Sequence, residues 1–331
     1  MVTIDRRTLL ALAGSAVVGA YVGAAGGRPA AAATPGLAAD LVPATGAHFG
    51  AYVYAGNDSG VSQPEALESQ IGHGLRINHS FQHAGTALPL TRIQQDIAAG
   101  RIPMLSWGAG EEPRLREILA GLHDTEIEGQ ARRLAELGAP MFLRYTWEFD
   151  LRYTDTKLFT DTWRYVHWKF AQAPNVAFVW CPTWRAYRET FKAEDFYPGD
   201  EHVDWIAADG YARPRPDRPE YDYRPFDLMF DVAHAYAVAQ GKPFMVGETG
   251  VHRADVDPVQ AEWLDSTRSV IRSSYPNLKA FLYFHRDGDD PDNHWRVTVP
   301  DGGPAQRAFA AFAADPYFNP PFDPPLDPVG R

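Results

Sequence analysis

Two glutamates in this 331-residue chain sit where chemistry could be done. Glu148 lies near the end of Pro140-Met-Phe-Leu-Arg-Tyr-Thr-Trp-Glu148-Phe-Asp150, in which Met141 to Leu143 form an apolar run of the kind a fully buried strand shows. Trp147 and Phe149 flank its carboxyl. An acid held between aromatics at the end of a buried strand resists ionisation, because its charged form is poorly solvated there. A general acid working near neutral pH needs that property. Glu248 answers it one hundred residues on (248 minus 148), in Pro243-Phe-Met-Val-Gly-Glu248-Thr-Gly250, where glycines let backbone or ligand approach closely. Either glutamate alone reads as a structural acid at a strand end. The pair points to two carboxyls that cleave a glycosidic bond.

Such side chains need a frame that brings distant strand ends together. Eight short apolar or alternating runs read as strands: His48–Val53, Arg76–Phe81, Ile102–Trp107, Met141–Trp147, Val176–Cys181, Trp205–Tyr211, Phe244–Gly247 and Ala280–Phe284. Helical spacing lies between most of them, over Thr91–Ala99, Glu126–Leu137, Leu158–Phe170, Phe226–Ala239, the stretch opened by an Asp257 cap and Pro258, and Gln306–Ala313. The alternation recurs at intervals of ~25–40 residues, which fits an α/β fold of one (β/α)8 TIM barrel of ~250 residues. A doubly wound sheet lacks support, because Phe49-Gly50-Ala51-Tyr52 in the first strand leads into no glycine-rich phosphate loop.

In a barrel the C-terminal strand ends carry the chemistry. Those ends hold His79, Trp107, Trp147 with Glu148, Trp180 to Trp184, Asp209 with Tyr211, Glu248, and Phe284 with His285. An aromatic rim around two glutamates suits an uncharged polyol. Trp107, Trp147 and Trp184 are candidate sugar platforms, or plain packing residues; His79, Asp209 and His285 complete the substrate-binding candidates. Tyr211 either donates a hydrogen bond to Glu248 or bonds backbone. Arg144, among apolar neighbours, either pairs with a strand-end carboxylate and tunes its pKa or makes a structural ion pair.

The start of the chain reads as an address. Asp5-Arg6-Arg7-Thr8-Leu9-Leu10 has the twin-arginine pattern, a weakly apolar segment follows to Ala25, and Ala30 to Ala33 offer small residues for cleavage. A membrane helix is the rival, but the run is short against the ~20 residues a bilayer needs. The expected organisation is a signal and short linker over 1–39, the barrel over 40–318 and a proline-rich tail over 319–331. The expected destination is outside the cell, with no membrane contact once the signal is cleaved, as a monomer. A net charge of −11 and a pI near 5.4 argue against nucleic acid and anionic membrane surfaces as partners. Cys181 is the chain's one cysteine, so no intrachain disulfide can form; it reads as an inert core thiol.

Over about Gly46 to Phe318 the chain resembles glycoside hydrolase family 26, the β-mannanases and β-glucanases among the retaining (β/α)8 glycosidases. Three stretches carry the likeness: Asn175-Val-Ala-Phe-Val-Trp-Cys-Pro182; Tyr197-Pro-Gly-Asp-Glu-His-Val-Asp-Trp-Ile206 leading to Asp209-Gly-Tyr211; and Lys242-Pro-Phe-Met-Val-Gly-Glu-Thr-Gly250. The resemblance implies that Glu148 is the acid/base, Glu248 the nucleophile and Tyr211 the hydrogen-bond partner of the nucleophile. It also implies a double displacement with retained configuration on a β-linked polysaccharide or oligosaccharide, β-mannan by default. Two departures bear on substrate: Trp147-Glu148-Phe149-Asp150 stands where the family shows His-Glu-Met-Asn, and strand eight ends in Phe284-His285 rather than a tryptophan. A β-1,3/1,4-glucan or another β-glycan is the alternative.

Two rival readings come from other classes. His48, His79, His83, His252 and His285 could build a metal site in a barrel hydrolase. The first strand, however, lacks the His-x-His of that class, no H-E-x-x-H is present, and neither metal nor cofactor is expected. Asp287-Gly-Asp-Asp-Pro-Asp-Asn293 lacks the glutamate of a calcium loop and reads as a solvated acidic loop. The other rival is a sugar-binding barrel that has lost catalysis.

Overall fold

The computed structural model describes residues 41–322 apart from 58, 189–191, 215–221, 254–257 and 290–292. The signal segment, the tail beyond 322, the Asp257 cap and part of the acidic loop lie outside the described residues.

Eight parallel strands close in chain order into a barrel. They are β1 (His48–Val53), β2 (Ile77–Gln82), β3 (Ile102–Trp107), β4 (Met141–Tyr145), β5 (Val176–Trp180), β6 (Trp205–Ala212), β7 (Phe244–Val251) and β8 (Leu278–His285). The helices are α1 (Glu65–Ile71), α2 (Leu90–Ala98), α3 (Glu112–Leu119), α4 (Asp124–Glu136), α5 (Thr156–Lys169), the single turn α6 (Lys192–Asp195), α7 (Phe226–Ala239), α8 (Val259–Ser274) and α9 (Pro304–Ala314). The expected (β/α)8 barrel is the architecture found.

Helices cover the outside of the sheet, so both strand faces are buried and the strands read as nearly continuous apolar runs. The pleat still sorts side chains by parity. Inside the barrel, Ile77, Met104, Phe142, Val179, Trp205 and Met245 form one cluster, with small Ala177, Ala207 and Ala280 making room beside them. Phe142 and Trp205 meet edge to face, 5.0 Å between centroids. Outside, Phe49, Phe281 and Phe312 stack to clamp α9 onto β1 and β8. Helix ends follow local rules: Asp155 caps α5 by accepting from the Leu158 amide at 2.9 Å, and Gly138 and Gly241 take the left-handed conformation just past α4 and α7.

At the mouth of the barrel two strand ends depart from the sequence pattern by more than one residue. β4 stops at Tyr145 rather than Trp147, because Thr146 turns to a φ of 47°. β7 runs on to Val251 through a register shift between Val246 and Thr249, so Glu248 lies inside a bulged strand rather than just past a strand end. The helices α1 and α3, at 7 and 8 residues, are too short to show a clear period in sequence.

The barrel is tight enough for one position to test it. A Cβ added to Gly50 would lie 2.6 Å from both the Ile77 carbonyl oxygen and the Ile77 Cβ on the neighbouring strand. Gly50→Ala is expected to destabilise the fold by roughly 1–3 kcal/mol, read as a lower midpoint in thermal unfolding. An unchanged midpoint would show that β1 and β2 are not packed this closely.

Candidate active site

The site is built upward from a charge that cannot leave. Arg144 points into the barrel from β4 and is fully buried. Burial alone would lower its pKa, but the carboxyls of Asp209 and Glu248 outweigh that and hold it charged. Its Nη1 donates to Asp209 at 2.6 Å, its Nη2 to Glu248 Oε1, and its Nε to the Ser106 hydroxyl at 2.6 Å. Ser106 Oγ in turn lies 2.7 Å from His79 Nε2. The Ser106 hydroxyl, which can donate as well as accept, thus links the Arg144 guanidinium to the His79 ring. Burial and the facing Arg144 lower the His79 pKa well below its usual value, so the ring is neutral. Burial pushes the Asp209 carboxyl well above the ordinary range, against Arg144 and with the charges of Glu248 and Glu148 adding to the rise.

Glu248 is gripped from both sides. Arg144 takes one oxygen, and the Tyr211 hydroxyl donates to the other at 2.6 Å. The grip requires Gly247: a Cβ there would meet Asp209 Oδ1 at 2.7 Å and the Cys181 sulfur at 2.8 Å. Cys181 itself is buried and donates to Asp209 at 3.1 Å.

Glu148 has the opposite environment. It sits in the left-handed region, φ 47° and ψ 39°, two residues after Thr146 at the same φ. For a β-branched residue such as Thr146 this costs of order 1–3 kcal/mol, and strain of that size gathers at functional sites. The turn is pinned: the Glu148 amide donates to the Cys181 carbonyl at 3.1 Å, and Asp150 accepts both the Thr183 amide and hydroxyl at 2.8 and 2.6 Å. No cation pairs with Glu148 among the described residues. Burial first, and then the charge of Glu248, raise its pKa to about 7, with Arg144 opposing. One carboxyl thus holds its proton near neutrality, while the other receives two hydrogen-bond donors.

An aromatic wall surrounds the pair. Tyr52 stacks on Phe284 at 4.9 Å, Phe81 packs edge-on to Trp147 at 5.1 Å, and Tyr211 leans on Trp295 at 4.8 Å.

With that geometry in place, likeness to known proteins can be weighed. Over 268 residues the chain is 24% identical to Endoglucanase H of Acetivibrio thermocellus, covering 76% of this chain and 29% of that protein. Over 226 residues it is 24% identical to the β-1,3-xylanase TXYA of a Vibrio species, covering 58% and 45%. The chain therefore spans less than half the length of these curated relatives. Among solved structures, the catalytic domain of a family 26 endo-β-1,4-mannanase from Bacillus sp. JAMB-750 superposes with a TM-score of 0.65 at 14% identity, covering 87% of this chain and 92% of that one. A family 26 β-mannanase from Bacteroides ovatus gives 0.59 at 18%, covering 85% and 92%. The chain is similar to family 26 glycoside hydrolases. At these identities the structural match shows a shared fold; no protein-family model matches the chain.

Against that family 26 likeness, the sequence-nominated residues separate cleanly. The interior of the barrel brings Glu148, Glu248, Tyr211, Asp209 and His79 to one cluster, in which His79 and Asp209 are buried against Arg144. Trp147 stands beside Glu148, mostly buried. Trp184 is half-buried and lies against Gly210 of β6.

Two nominated residues prove misplaced, for one reason. Trp107 packs outward between Tyr145 and Phe170, and His285 is buried with its Nε2 3.4 Å from the Thr298 hydroxyl, its pKa lowered by burial to about 3. On each strand the preceding residue is the inward one: Ser106 reaches Arg144, and Phe284 reaches Tyr52 and Tyr211. Counting the pleat back from the interior cluster would have found both. The other histidines are scattered: His48 bonds the Leu41 carbonyl, and His252 meets the Tyr223 hydroxyl. Trp295 carried no sequence signal, because it comes from the loop after β8.

Two outcomes follow. Arg144→Met should cost roughly 3–5 kcal/mol by leaving buried carboxyls without their cation. Adding Asp209→Asn should recover part of that loss in a double-mutant cycle of chemical unfolding, and full additivity would show that the pair is not coupled. For Glu148 the folded-state pKa is raised, so its protonated form favours folding and that stability is lost as pH climbs from about 4.5 to about 7. Glu148→Gln should therefore stabilise the protein at pH 8 and not at pH 4, by at most about 3 kcal/mol; an equal effect at both pH values would contradict the raised pKa.

Proposed function

We propose that this chain is a retaining glycoside hydrolase acting on a β-linked polysaccharide or oligosaccharide. The observation that carries the reading is the split pair: a Glu148 whose pKa is raised to about 7, and a Glu248 held by Arg144 and Tyr211 and near enough for its charge to add to that rise. In the first half-reaction a Glu248 oxygen bonds the anomeric carbon as the glycosidic C–O bond breaks, and Glu148 gives its proton to the departing oxygen. In the second, Glu148 takes a proton from water, the water oxygen bonds the anomeric carbon, and the Glu248 ester bond breaks. Configuration is then retained.

β-Mannan is the first substrate to try, given the mannanases that share the fold. β-Glucan and β-1,3-xylan come next, because the curated relatives bear endoglucanase and xylanase names and Trp147 stands where the family pattern has histidine. Export through the twin-arginine route, as a monomer that works outside the cell, belongs to the same proposal and is tested by whether a reporter fused after residue 39 is secreted only when Arg6 and Arg7 are intact. The reading of another class, a sugar-binding barrel without turnover, is favoured by no feature of the pair.

The test is turnover on a panel of β-linked glycans, with the anomer of the fresh product read by NMR. Retained product is expected. Glu248→Gln should abolish turnover while leaving binding, and Glu148→Gln should lower it by about 10²–10⁴-fold. Wild-type kcat/KM should fall by one decade per pH unit above about pH 7, where Glu148 loses its proton. That alkaline limb should vanish in Glu148→Gln. A limb that survives the substitution, or an inverted product, would sink the mechanism.

A further inference from the structure

Arg152 follows Glu148 on the same turn and is exposed. Its guanidinium carbon stands 4.6 Å from the centre of the Trp147 ring, and its charge is felt at Glu148. Among the described residues it makes no ion pair. Two acids of the neighbouring turns are engaged elsewhere: Asp150 accepts from Thr183, and Glu112 accepts from Thr154 and the Asp155 amide. Glu111, exposed at the start of α3, is felt at Tyr153 as Arg152 is, and is the acid placed to compete for it.

The rest of the rim repeats the motif. Arg185 lies 5.7 Å and Arg224 5.1 Å from the Trp184 ring centre, and Arg286 lies 4.5 Å from that of Tyr54. Three aromatics at the ends of β1, β4 and β5 thus carry guanidinium groups, in a chain whose net charge is −11. A neutral sugar stacks on a bare ring face. A guanidinium laid on that face instead presents a planar fork of N–H donors, which matches a carboxylate or sulfate ester bidentately. The sequence expectation of an uncharged polyol took no account of these cations, which lie in loops between the strand ends.

We propose that the cleft receives a β-glycan bearing anionic groups, with Arg152 on Trp147 taking a carboxylate or sulfate next to the bond held by Glu148. This rests on reading the cleft as a glycosidase site. It is a binding preference, so it can be measured apart from turnover.

The experiment uses the Glu248→Gln protein and calorimetric titration with three forms of β-1,4-mannan, and the same three of β-1,3-xylan: neutral, carboxymethylated and sulfated. At low salt a charged form should bind at least about tenfold tighter than its neutral parent, as one charge-assisted contact supplies. The advantage should shrink as salt rises. Whichever charged form binds tighter names the anion. Adding Arg152→Gln should collapse the charged-to-neutral ratio, Arg152→Lys should restore part of it, and Glu111→Gln should widen it. Arg132→Gln, an exposed arginine on α4, should leave it alone. Neutral polymer bound as tightly as charged, or a ratio lost equally in Arg132→Gln, overturns the proposal. Hydrolysis with neutral preference sinks it alone. Charged preference with no wild-type hydrolysis of any form sinks the glycosidase reading and leaves this one standing.

Discussion

A cation sealed inside a protein must find anions there, and in this barrel that single requirement organises the mouth. Arg144 has no exposed surface and reaches Asp209, Glu248 and Ser106 at once. Taking one charge from water costs several kcal/mol, recovered only when its geometry is satisfied on every side. The neighbours follow from that. Gly247 has no side chain because Asp209 and Cys181 already occupy the space. β7 bulges so that Glu248 as well as Gly247 faces inward. His79 is neutral because burial, and then the facing Arg144, oppose a charge on its ring. Each is a consequence of one buried guanidinium, and together they fix where Glu248 can be.

The second carboxyl is placed by the reverse arrangement. Glu148 is carried out of the strand by a left-handed turn and held by a backbone hydrogen bond to Cys181, just past β5, rather than by a cation. Its proton stays because desolvation and the charge of Glu248 both oppose its loss. The pair is therefore asymmetric by construction: Arg144 and Tyr211 hold one carboxyl, while burial, and then the charge of that carboxyl, raise the pKa of the other. Strain at Thr146 and Glu148 belongs to the same design, since a relaxed extended chain would carry Glu148 on along the strand direction.

The barrel and the two glutamates were legible in the sequence because both rest on local signals. Buried parallel strands make short apolar runs, and an acid or glycine interrupting such a run stands out, as at Gly247-Glu248. What was not legible depends on direction in space. Continuous burial hides the inward and outward parity of a strand, so Trp107 and His285 were as visible as Ser106 and Phe284, though the pleat sends them to opposite layers. Arg144 could be seen but not resolved, because its partners lie 65 and 104 residues away and only closure of the barrel brings them near. Trp295 and the rim arginines lie in loops, where no periodicity reports on position.

That division has a physical meaning for specificity. The cluster around Arg144 is set by a buried charge and tolerates little change, whereas the residues over it hang on loops whose packing constrains them less. Trp147 lies at the boundary. Below, it leans on Phe81 and comes within 5.9 Å of Arg144; above, it bears Arg152. A histidine in its place would offer hydrogen bonds to a sugar hydroxyl but less ring surface for a guanidinium to rest on. Such an exchange would alter what Arg152 rests on while Arg144, Asp209 and Tyr211 keep their hydrogen bonds to one another and to Glu248 within the barrel.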